Sequence, residues 1–261
     1  MKVFLTSFLA LICFAVLIFG NVSWNKKIED ASADNITKPR TADLSSSGQV
    51  EKQTSDLAKF TSNWPEESAE VFKERLNAGK PFKIVLAGSS EIDNDAFSLE
   101  KALQNKIMET YGNAIELSSI TFDVTSTEFL DEGYEQEIAD LNADMIIFES
   151  LTLKDNGLVI IEDSHENLST IMQATESVNP NISFIIQPPP PLFEANFYPR
   201  QVEELKKYAE QSGIVYLDYW NSFPEEGTAE RASYFTESRD ALNAEGYALW
   251  TDYLLNYLIN Q

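Results

Sequence analysis

The chain has 261 residues, of which 43% are hydrophobic, and this length accommodates one domain of about 200 residues with an appendage. Nineteen Lys and Arg residues against 42 Asp and Glu residues give a formal net charge of −23, which disfavours nucleic acid and anionic lipid surfaces as partners. Cys13 is the one cysteine and His165 the one histidine, so the sequence excludes an intrachain disulfide, a cysteine-based metal cluster and a histidine-rich zinc site.

The amino-terminal segment, residues 1–25, is predicted to target the chain to a membrane. Lys2 is followed by an uncharged stretch from Val3 to Trp24, and about 20 apolar residues suffice to cross a bilayer. We expect an uncleaved signal anchor, because the best small-residue cleavage signal, at 18–20, is a poor one. A cleaved secretory signal is the alternative. Either signal would place the rest of the chain outside the cytoplasm, tethered to the membrane or secreted.

The next segment, residues 26–55, is polar and poor in large apolar side chains, which predicts a flexible linker. The folded domain is expected over residues 56–261. Its first helix is predicted within NWPEESAEVFKERLNAG (63–79). Pro65 suits a helix start, acidic residues follow it directly, and Gly79 is typical of a helix end.

Five short apolar runs then alternate with helical patterns. The continuous apolarity of KIVLAG, MIIF and FII indicates strands that are covered on both faces. Because strands that alternate with helices form parallel sheets, we predict an α/β fold of three layers, flavodoxin-like, with a five-stranded parallel sheet. The predicted strands are 82–88, 115–122, 144–150, 182–187 and 214–219, and the predicted helices are 97–111, 127–142, 163–178, 198–212 and 244–259.

The loops that follow these strands are the predicted place of function, because open α/β sheets bind ligands at the carboxyl ends of their strands. The first strand ends in Gly88-Ser89-Ser90, and the third is followed by SLTLKDNG (150–157). The loops after the fourth and fifth strands, 187–199 and 218–247, are long for simple connectors and favour a substrate cleft.

Two of these loops carry a family resemblance. Gly88-Ser89-Ser90 resembles the Gly-Asp-Ser nucleophile turn of the SGNH/GDSL hydrolase family, and the resemblance covers about residues 80–260. It implies a flavodoxin-like fold in which Ser90 is the nucleophile. The family's Gly-x-Asn-Asp motif after the third strand is echoed by Leu153-Lys154-Asp155. This alignment keeps the acid at Asp155 and places Lys154 where the family has its oxyanion-binding Asn.

The family's terminal motif, Asp-x-x-His-Pro-Asn-x-x-Gly-[HY], is echoed by SRDALNAEGYALW (238–250). Three residues fit it: Asn243, Gly246 and Tyr247. Ala241 falls on the histidine. The same alignment puts Ser238 on the motif's Asp, whereas a two-residue shift assigns Asp240 instead. Both alignments leave the general base unassigned.

A serine hydroxyl needs a neighbouring base to act as a nucleophile, and histidine suits this task because its pKa lies near neutrality. His165, predicted near the start of a helix, is one candidate base. Lys154 is another if it is buried beside Ser90, and Asp240 or Glu237 is a third, weaker as a base. The competing interpretation is structural: the two serines satisfy the backbone at a helix start, and the lysine is an exposed loop residue.

Aromatic and amide side chains of the loops are the candidate substrate-binding groups. Phe193, Phe197 and Tyr198, which follow a run of four prolines, are suited either to walling a glycan or acyl pocket or to packing under the loop. The residues assigned to substrate binding are Gly88, Ser89, Asn156, Asn243, Tyr219 and Trp220.

These features together predict an extracytoplasmic SGNH-type domain, monomeric and without metal or cofactor. The resemblance implies hydrolysis of an ester-linked acyl group by attack of Ser90, with a small molecule or a glycan as substrate, for example O-acetyl on an envelope polysaccharide. The departures from the family motifs predict impaired catalysis. The alternative is a catalytically inactive domain on the same fold that binds a glycan or a protein.

Overall fold

A computed structural model describes residues 54–260. The predicted membrane segment (1–25) and almost all of the predicted linker (26–55) therefore lie outside the described residues. Between residues 54 and 260, no helix is long and apolar enough to cross a bilayer.

Five parallel strands form one sheet in the order β2-β1-β3-β4-β5. The strands are β1 (Phe82–Gly88), β2 (Ile115–Thr121), β3 (Met145–Glu149), β4 (Ser183–Gln187) and β5 (Val215–Tyr216). The predicted five-stranded parallel sheet is confirmed. The chain leaves β1 first toward β2 and then returns to β3 on its other side, so the strand order reverses at β1. Such a reversal opens a crevice at the carboxyl ends of β1 and β3.

Helices cover both faces of the sheet, because alternate side chains of each strand point to opposite sides. On one face Ile84 and Leu86 pack with α1, α2 and α9, and on the other Val85 and Ala87 pack with α3, α4, α6 and α7. The helices are α1 (Glu66–Asn77), α2 (Leu99–Tyr111), α3 (Ser126–Asp131), α4 (Tyr134–Asp140), α5 (Thr152–Asp155), α6 (Ile161–Val178), α7 (Tyr198–Ser212), α8 (Ala229–Ala232) and α9 (Ala244–Leu258). This is the predicted three-layer arrangement.

The predicted loops 150–157 and 218–247 contain the short helices α5 and α8, and two of the predicted elements differ in extent. The single helix predicted over 127–142 is two helices, α3 and α4, because Gly133 adopts a left-handed conformation (φ 77°) between them. The strand predicted over 214–219 pairs with β4 only at Val215 and Tyr216. It is an edge strand with one neighbour, and the chain turns into a short 3₁₀ helix at Tyr219–Ser222.

Candidate functional site

The carboxyl end of β1 lies at the strand-order reversal, and Ser90 is in the turn that follows it. Ser89 is fully buried, whereas Ser90 is half-buried. The turn is closed by the amide of Ile92, which donates to the carbonyl of Ser89. The residue predicted as nucleophile therefore reaches solvent at the place where this sheet topology puts its crevice.

The hydroxyl of Ser90 is paired with a carboxylate. Its Oγ donates to Oδ1 of Asp123 at 3.1 Å, and the ammonium of Lys154 forms an ion pair with the same oxygen. The three side chains follow β1, β2 and β3, which are neighbours in the sheet. Hydrogen bonds from Lys154 and Ser90 hold the pKa of Asp123 below its usual range. We call these three side chains, Ser90, Asp123 and Lys154, the Ser90 cluster.

A second carboxyl borders the Ser90 cluster. Glu91 is half-buried, and this burial raises its pKa, with the charge of Asp123 acting in the same direction and the ammonium of Lys154 acting against both. Lys154 thus faces two carboxyl groups. Lys154 was identified from the sequence, whereas Asp123 and Glu91 were missed; the available signal was that Asp123 stands just after the second apolar run.

Beneath the turn lies a third carboxyl, that of Glu149 at the end of β3. It is fully buried, and its Oε2 accepts a hydrogen bond from the amide of Ser89 at 2.5 Å. Burial raises the pKa of Glu149 to about 8, although hydrogen bonds from Ser89 oppose the shift. Gly88 is required here, since a Cβ at this position would lie 2.5 Å from that Oε2 and 2.6 Å from the Cβ of Glu149. From the sequence, Glu149 was interpreted only as part of a strand.

Glu149 has polar neighbours on β4 and beyond. Gln187 is its partner in the β3–β4 register, and Oε1 of Gln187 accepts from Nε1 of Trp250 at 2.9 Å. Tyr219 stacks on Trp250 with ring centroids 5.0 Å apart. Among the described residues, three of these buried atoms have no hydrogen-bond partner: Oε1 of Glu149, Nε2 of Gln187 and the hydroxyl of Tyr219.

Asp155, predicted as the family's acid, lies next to Lys154 in the chain, but its side chain contacts other residues than Asp123. It is buried, and its two oxygens accept from the amide of Ser126 at 2.7 Å and from Oγ of Ser164 at 2.6 Å. It therefore joins the start of α3 to the first turn of α6. Asn156 follows directly, is exposed, and donates its backbone amide to the carbonyl of Leu153.

His165 lies on the α6–α7 side of the molecule. Its ring stacks on Tyr208 of α7 with centroids 4.6 Å apart, and burial lowers its pKa. The structure records no contact between His165 and Ser90 within residues 54–260. The arrangement does not bring the candidate imidazole to the predicted nucleophile.

The segment that resembles the terminal motif folds as a locally bonded turn. Asp240 is exposed and accepts from the hydroxyls of Thr236 and Ser238, which lower its pKa. Asn243 caps α9 by accepting from the amides of Glu245 and Gly246. Its Nδ2 also donates to the carbonyls at positions 233 and 235. Asn243 and Asp240 thus organise this turn, and neither contacts Ser90 in the described structure.

The aromatic residues predicted to bind substrate pack mainly inside the protein. Tyr219 is fully buried. Trp220 is half-buried, donates from Nε1 to the carbonyl of Pro189 at 2.9 Å, and meets Tyr198 edge-on. Phe197, by contrast, is 75% exposed. The contacts of Tyr219, Trp220 and Tyr198 are those of side chains that pack within the protein.

No group of three or more His, Cys, Asp or Glu side chains within the described range is arranged to hold a metal ion. The groups brought together at the site are a half-buried hydroxyl, the carboxyls of Glu91 and Asp123, and the ammonium of Lys154, with the Glu149 carboxyl beneath.

No protein-family model matches this sequence. No curated protein sequence matches it either. Solved structures do match it in three dimensions. A protein described as a GDSL-like lipase from Parabacteroides merdae is 11% identical with a TM-score of 0.57, over 69% of this chain and 96% of that one. A lipase/acylhydrolase from Enterococcus faecalis is 14% identical with a TM-score of 0.54, over 67% of this chain and 94% of its own.

An acetylxylan esterase from Geobacillus stearothermophilus is also 14% identical, with a TM-score of 0.53 over 68% of this chain and 94% of that chain. At such identities the likeness concerns the fold. The sheet order, the layering and these matches agree, and the described part of the chain has the SGNH/GDSL hydrolase fold.

Proposed function

We propose that this chain is an esterase-like protein that recognises an ester-linked acyl group at the Ser90 cluster and hydrolyses it slowly. The observation that carries the proposal is the hydrogen bond from Ser90 Oγ to Asp123, whose carboxylate is in turn ion-paired to Lys154. A hydroxyl that reaches solvent at the strand-order reversal, with an acceptor and a cation beside it, is an arrangement suited to acyl transfer.

The weakness of the proposed catalysis follows from the identity of the base. In the attack step, Ser90 Oγ bonds to the ester carbonyl carbon while its proton passes to Asp123. A carboxylate whose pKa is held below its usual range accepts that proton poorly. Lys154 would offset the charge on the developing oxyanion. Its ion pair with Asp123 must loosen for it to do so, which adds to the barrier.

The substrate class we propose is an O-acetylated glycan. One structural neighbour is an acetylxylan esterase, and the net charge of −23 favours a neutral or cationic ligand over an anionic one. We further propose that the protein acts as a monomer outside the cytoplasm, held at the membrane by the apolar segment 1–25 or released after its cleavage.

A second candidate function is binding of the same ligand without turnover. It is favoured by the placement of the one imidazole, because His165 is stacked on Tyr208 and makes no described contact with Ser90. The turn that carries Ala241 in the position of the family's histidine is, moreover, engaged in its own hydrogen bonds.

The experiment is fluorophosphonate labelling and p-nitrophenyl acetate turnover of the full chain in mild detergent, for the wild type, Ser90→Ala and Ser177→Ala. Ser177 is an exposed serine near the end of α6 that donates only to the carbonyl of Ala174, so its variant is the matched control. We expect slow labelling and turnover in the wild type and the control, and neither in Ser90→Ala.

The Asp123→Asn variant tests the base. We expect turnover to fall at least about tenfold, since an amide cannot accept the serine proton, while Glu109→Gln, which alters an exposed ion pair on α2, leaves turnover unchanged. Absence of labelling together with stabilisation by acetylated xylo-oligosaccharide would favour the binding function. Absence of both would overturn both proposals.

A further inference from the structure

We propose that Glu149 is a positioning residue whose buried carboxyl binds a proton and holds the turn Ser89–Glu91 in place through the amide of Ser89. The part of this inference that concerns Ser90 rests on the proposed function. The proton-binding role rests on contacts that exist whether or not the protein is an enzyme.

The first support is the tight contact between Glu149 and the turn. Oε2 accepts from the Ser89 amide at 2.5 Å, and the preceding residue, Gly88, has no room for a Cβ against the same carboxyl. Ser89 Oγ in turn accepts from the amide of Glu91 at 3.2 Å. Glu149 is thus hydrogen-bonded to Ser89, and Ser89 is hydrogen-bonded to Glu91, so these contacts bracket Ser90.

The second support is the surroundings of the other carboxyl oxygen. Oε1 of Glu149 is buried without a partner among the described residues, as are Nε2 of Gln187 and the hydroxyl of Tyr219. A buried ionised carboxylate with an unsatisfied oxygen is costly, whereas a neutral carboxyl only has to place one O–H.

The third support is the set of titratable groups that interact with Glu149 from the turn, from α5, from α7 and from the 3₁₀ helix. Glu91 faces it from the turn itself, Lys154 from α5, Tyr198 from α7 and Tyr219 from the 3₁₀ helix. Lys154 is the one cation among these, and it is already ion-paired to Asp123. The negative charge of Glu91 opposes ionisation of Glu149, as burial does, and the pKa of Glu149 is accordingly raised to about 8.

A raised pKa in the folded state makes stability depend on pH in a defined direction. The carboxyl of the unfolded chain loses its proton near pH 4.5, whereas the folded protein keeps it until about pH 8. Between these values the folded state binds more protons than the unfolded state, so this group makes stability fall as the pH rises. Below pH 4.5 the full stabilisation from protonated Glu149 is present, and above about pH 8 that stabilisation is lost.

The first test compares wild type with Glu149→Gln by urea unfolding of the full chain in mild detergent at about pH 5 and about pH 9. Gln keeps an oxygen for the Ser89 amide and cannot ionise. We expect the wild type to lose more stability between the two pH values than the variant does. Glu109→Gln, which removes an exposed carboxylate, should leave the wild-type difference intact. Equal pH dependence in wild type and Glu149→Gln would overturn the proposal.

The second test needs no variant that might fold poorly. Infrared spectra of the wild type carrying labelled glutamate should show a neutral carboxylic acid at neutral pH that disappears with a midpoint near pH 8. The NMR signal of the Ser89 amide should titrate with the same midpoint. A carboxylate already present at neutral pH, or a Ser89 amide that does not follow the infrared titration, would overturn the positioning role.

The consequence at Ser90 is measured separately, by the pH profile of fluorophosphonate labelling. We expect the pH profile of labelling to change at the Glu149 midpoint in the wild type and to lose that change in Glu149→Gln. A protein without any labelling would refute the esterase activity and leave the infrared and NMR outcomes to decide the role of Glu149 on their own.

Discussion

Two turns at the carboxyl edge of the sheet hold their side chains in different ways. The turn Ser89–Glu91 after β1 is held by other parts of the chain: Glu149 of β3 bonds it from below, and Asp123 after β2 bonds Ser90 from the side. The turn before α9, residues 236–242, is closed by hydrogen bonds among its own residues, and its Arg239 also lies over the ring of Phe193. Asp240 accepts from Thr236 and Ser238, and the amide of Thr236 donates to the carbonyl of Ala241.

This difference shows that the position of the first turn depends on the sheet, whereas the second turn is closed largely by hydrogen bonds within its own segment. The turn that carries Ser90 is bonded to the last residue of β3 and to Asp123 just after β2, and these are the two strands that flank β1. The position that the family resemblance assigns to the histidine lies in a turn that closes on local bonds, and a small residue there disturbs none of them. The contacts that stabilise the turn around Ser90 therefore do not by themselves supply a catalytic base.

The largest effect expected from this comparison is that of Gly88→Ala. The new Cβ would meet the carboxyl of Glu149 at 2.5 Å, and overpacking of this kind in a buried site costs about 3 kcal/mol of unfolding free energy. Urea unfolding measures it, and NMR should show the Ser89 amide displaced.

Gly246→Ala is the matched substitution beside the other turn, in the first turn of α9, because its Cβ would meet the carbonyl of Tyr234. We expect it to destabilise the protein as well, but to leave the Ser89 amide unmoved. A cost below about 1 kcal/mol for Gly88→Ala would mean that Glu149 does not pack tightly against the turn.

An intermediate effect is expected for Asn243→Ala. The change removes the cap of α9 and two hydrogen bonds to backbone carbonyls, which together are worth about 2 kcal/mol. Asn243→Asp keeps the cap and loses the two donors, so it should lie between the alanine variant and the wild type. Asn221→Ala, which removes an exposed amide bonded to Asp218, should change stability by less than about 0.5 kcal/mol. If Asn243→Ala is as mild as Asn221→Ala, the terminal turn is not held by Asn243.

The smallest effect on stability is expected for Lys154→Ala. Its ion pair with Asp123 lies near the surface, where such pairs contribute about 0–1 kcal/mol. The pKa of Asp123 should nevertheless rise toward its ordinary value, because the hydrogen bond from Lys154 is the main cause that holds it down. NMR titration of the Asp123 carboxyl measures this, with Lys106→Ala as the control from an exposed pair. An unchanged Asp123 pKa would contradict the ion pair.

Much of the fold could be predicted from the sequence because it is encoded locally. Continuous apolar runs located β1, β3 and β4, and the glycine with two serines marked the turn that the sheet order then placed at its reversal. The interruption at Gly133 was missed, since the helical pattern of apolar residues continues across it. A left-handed glycine between two short helices leaves little trace in that pattern.

The site was predicted less completely than the fold. Lys154 and Ser90 were recognised by their position in motifs, and they are in fact linked through Asp123. Asp155, adjacent to Lys154, was chosen for the same reason but bonds Ser126 and Ser164 instead. Consecutive residues of the short helix α5 point in different directions, and no motif states which of them faces the turn after β1.

The sequence by itself determined the strands, their parallel arrangement and the place of the Ser90 turn, because apolar patterning and glycine placement are properties of short segments. Only the tertiary structure decided what surrounds that turn. Asp123 is 33 residues from Ser90 and Glu149 is 60 residues from Ser89, and parallel pairing of β2 and β3 with β1 is what brings them together. The raised pKa of Glu149 has the same origin, since burial between strands and helices is a property of the assembled layers.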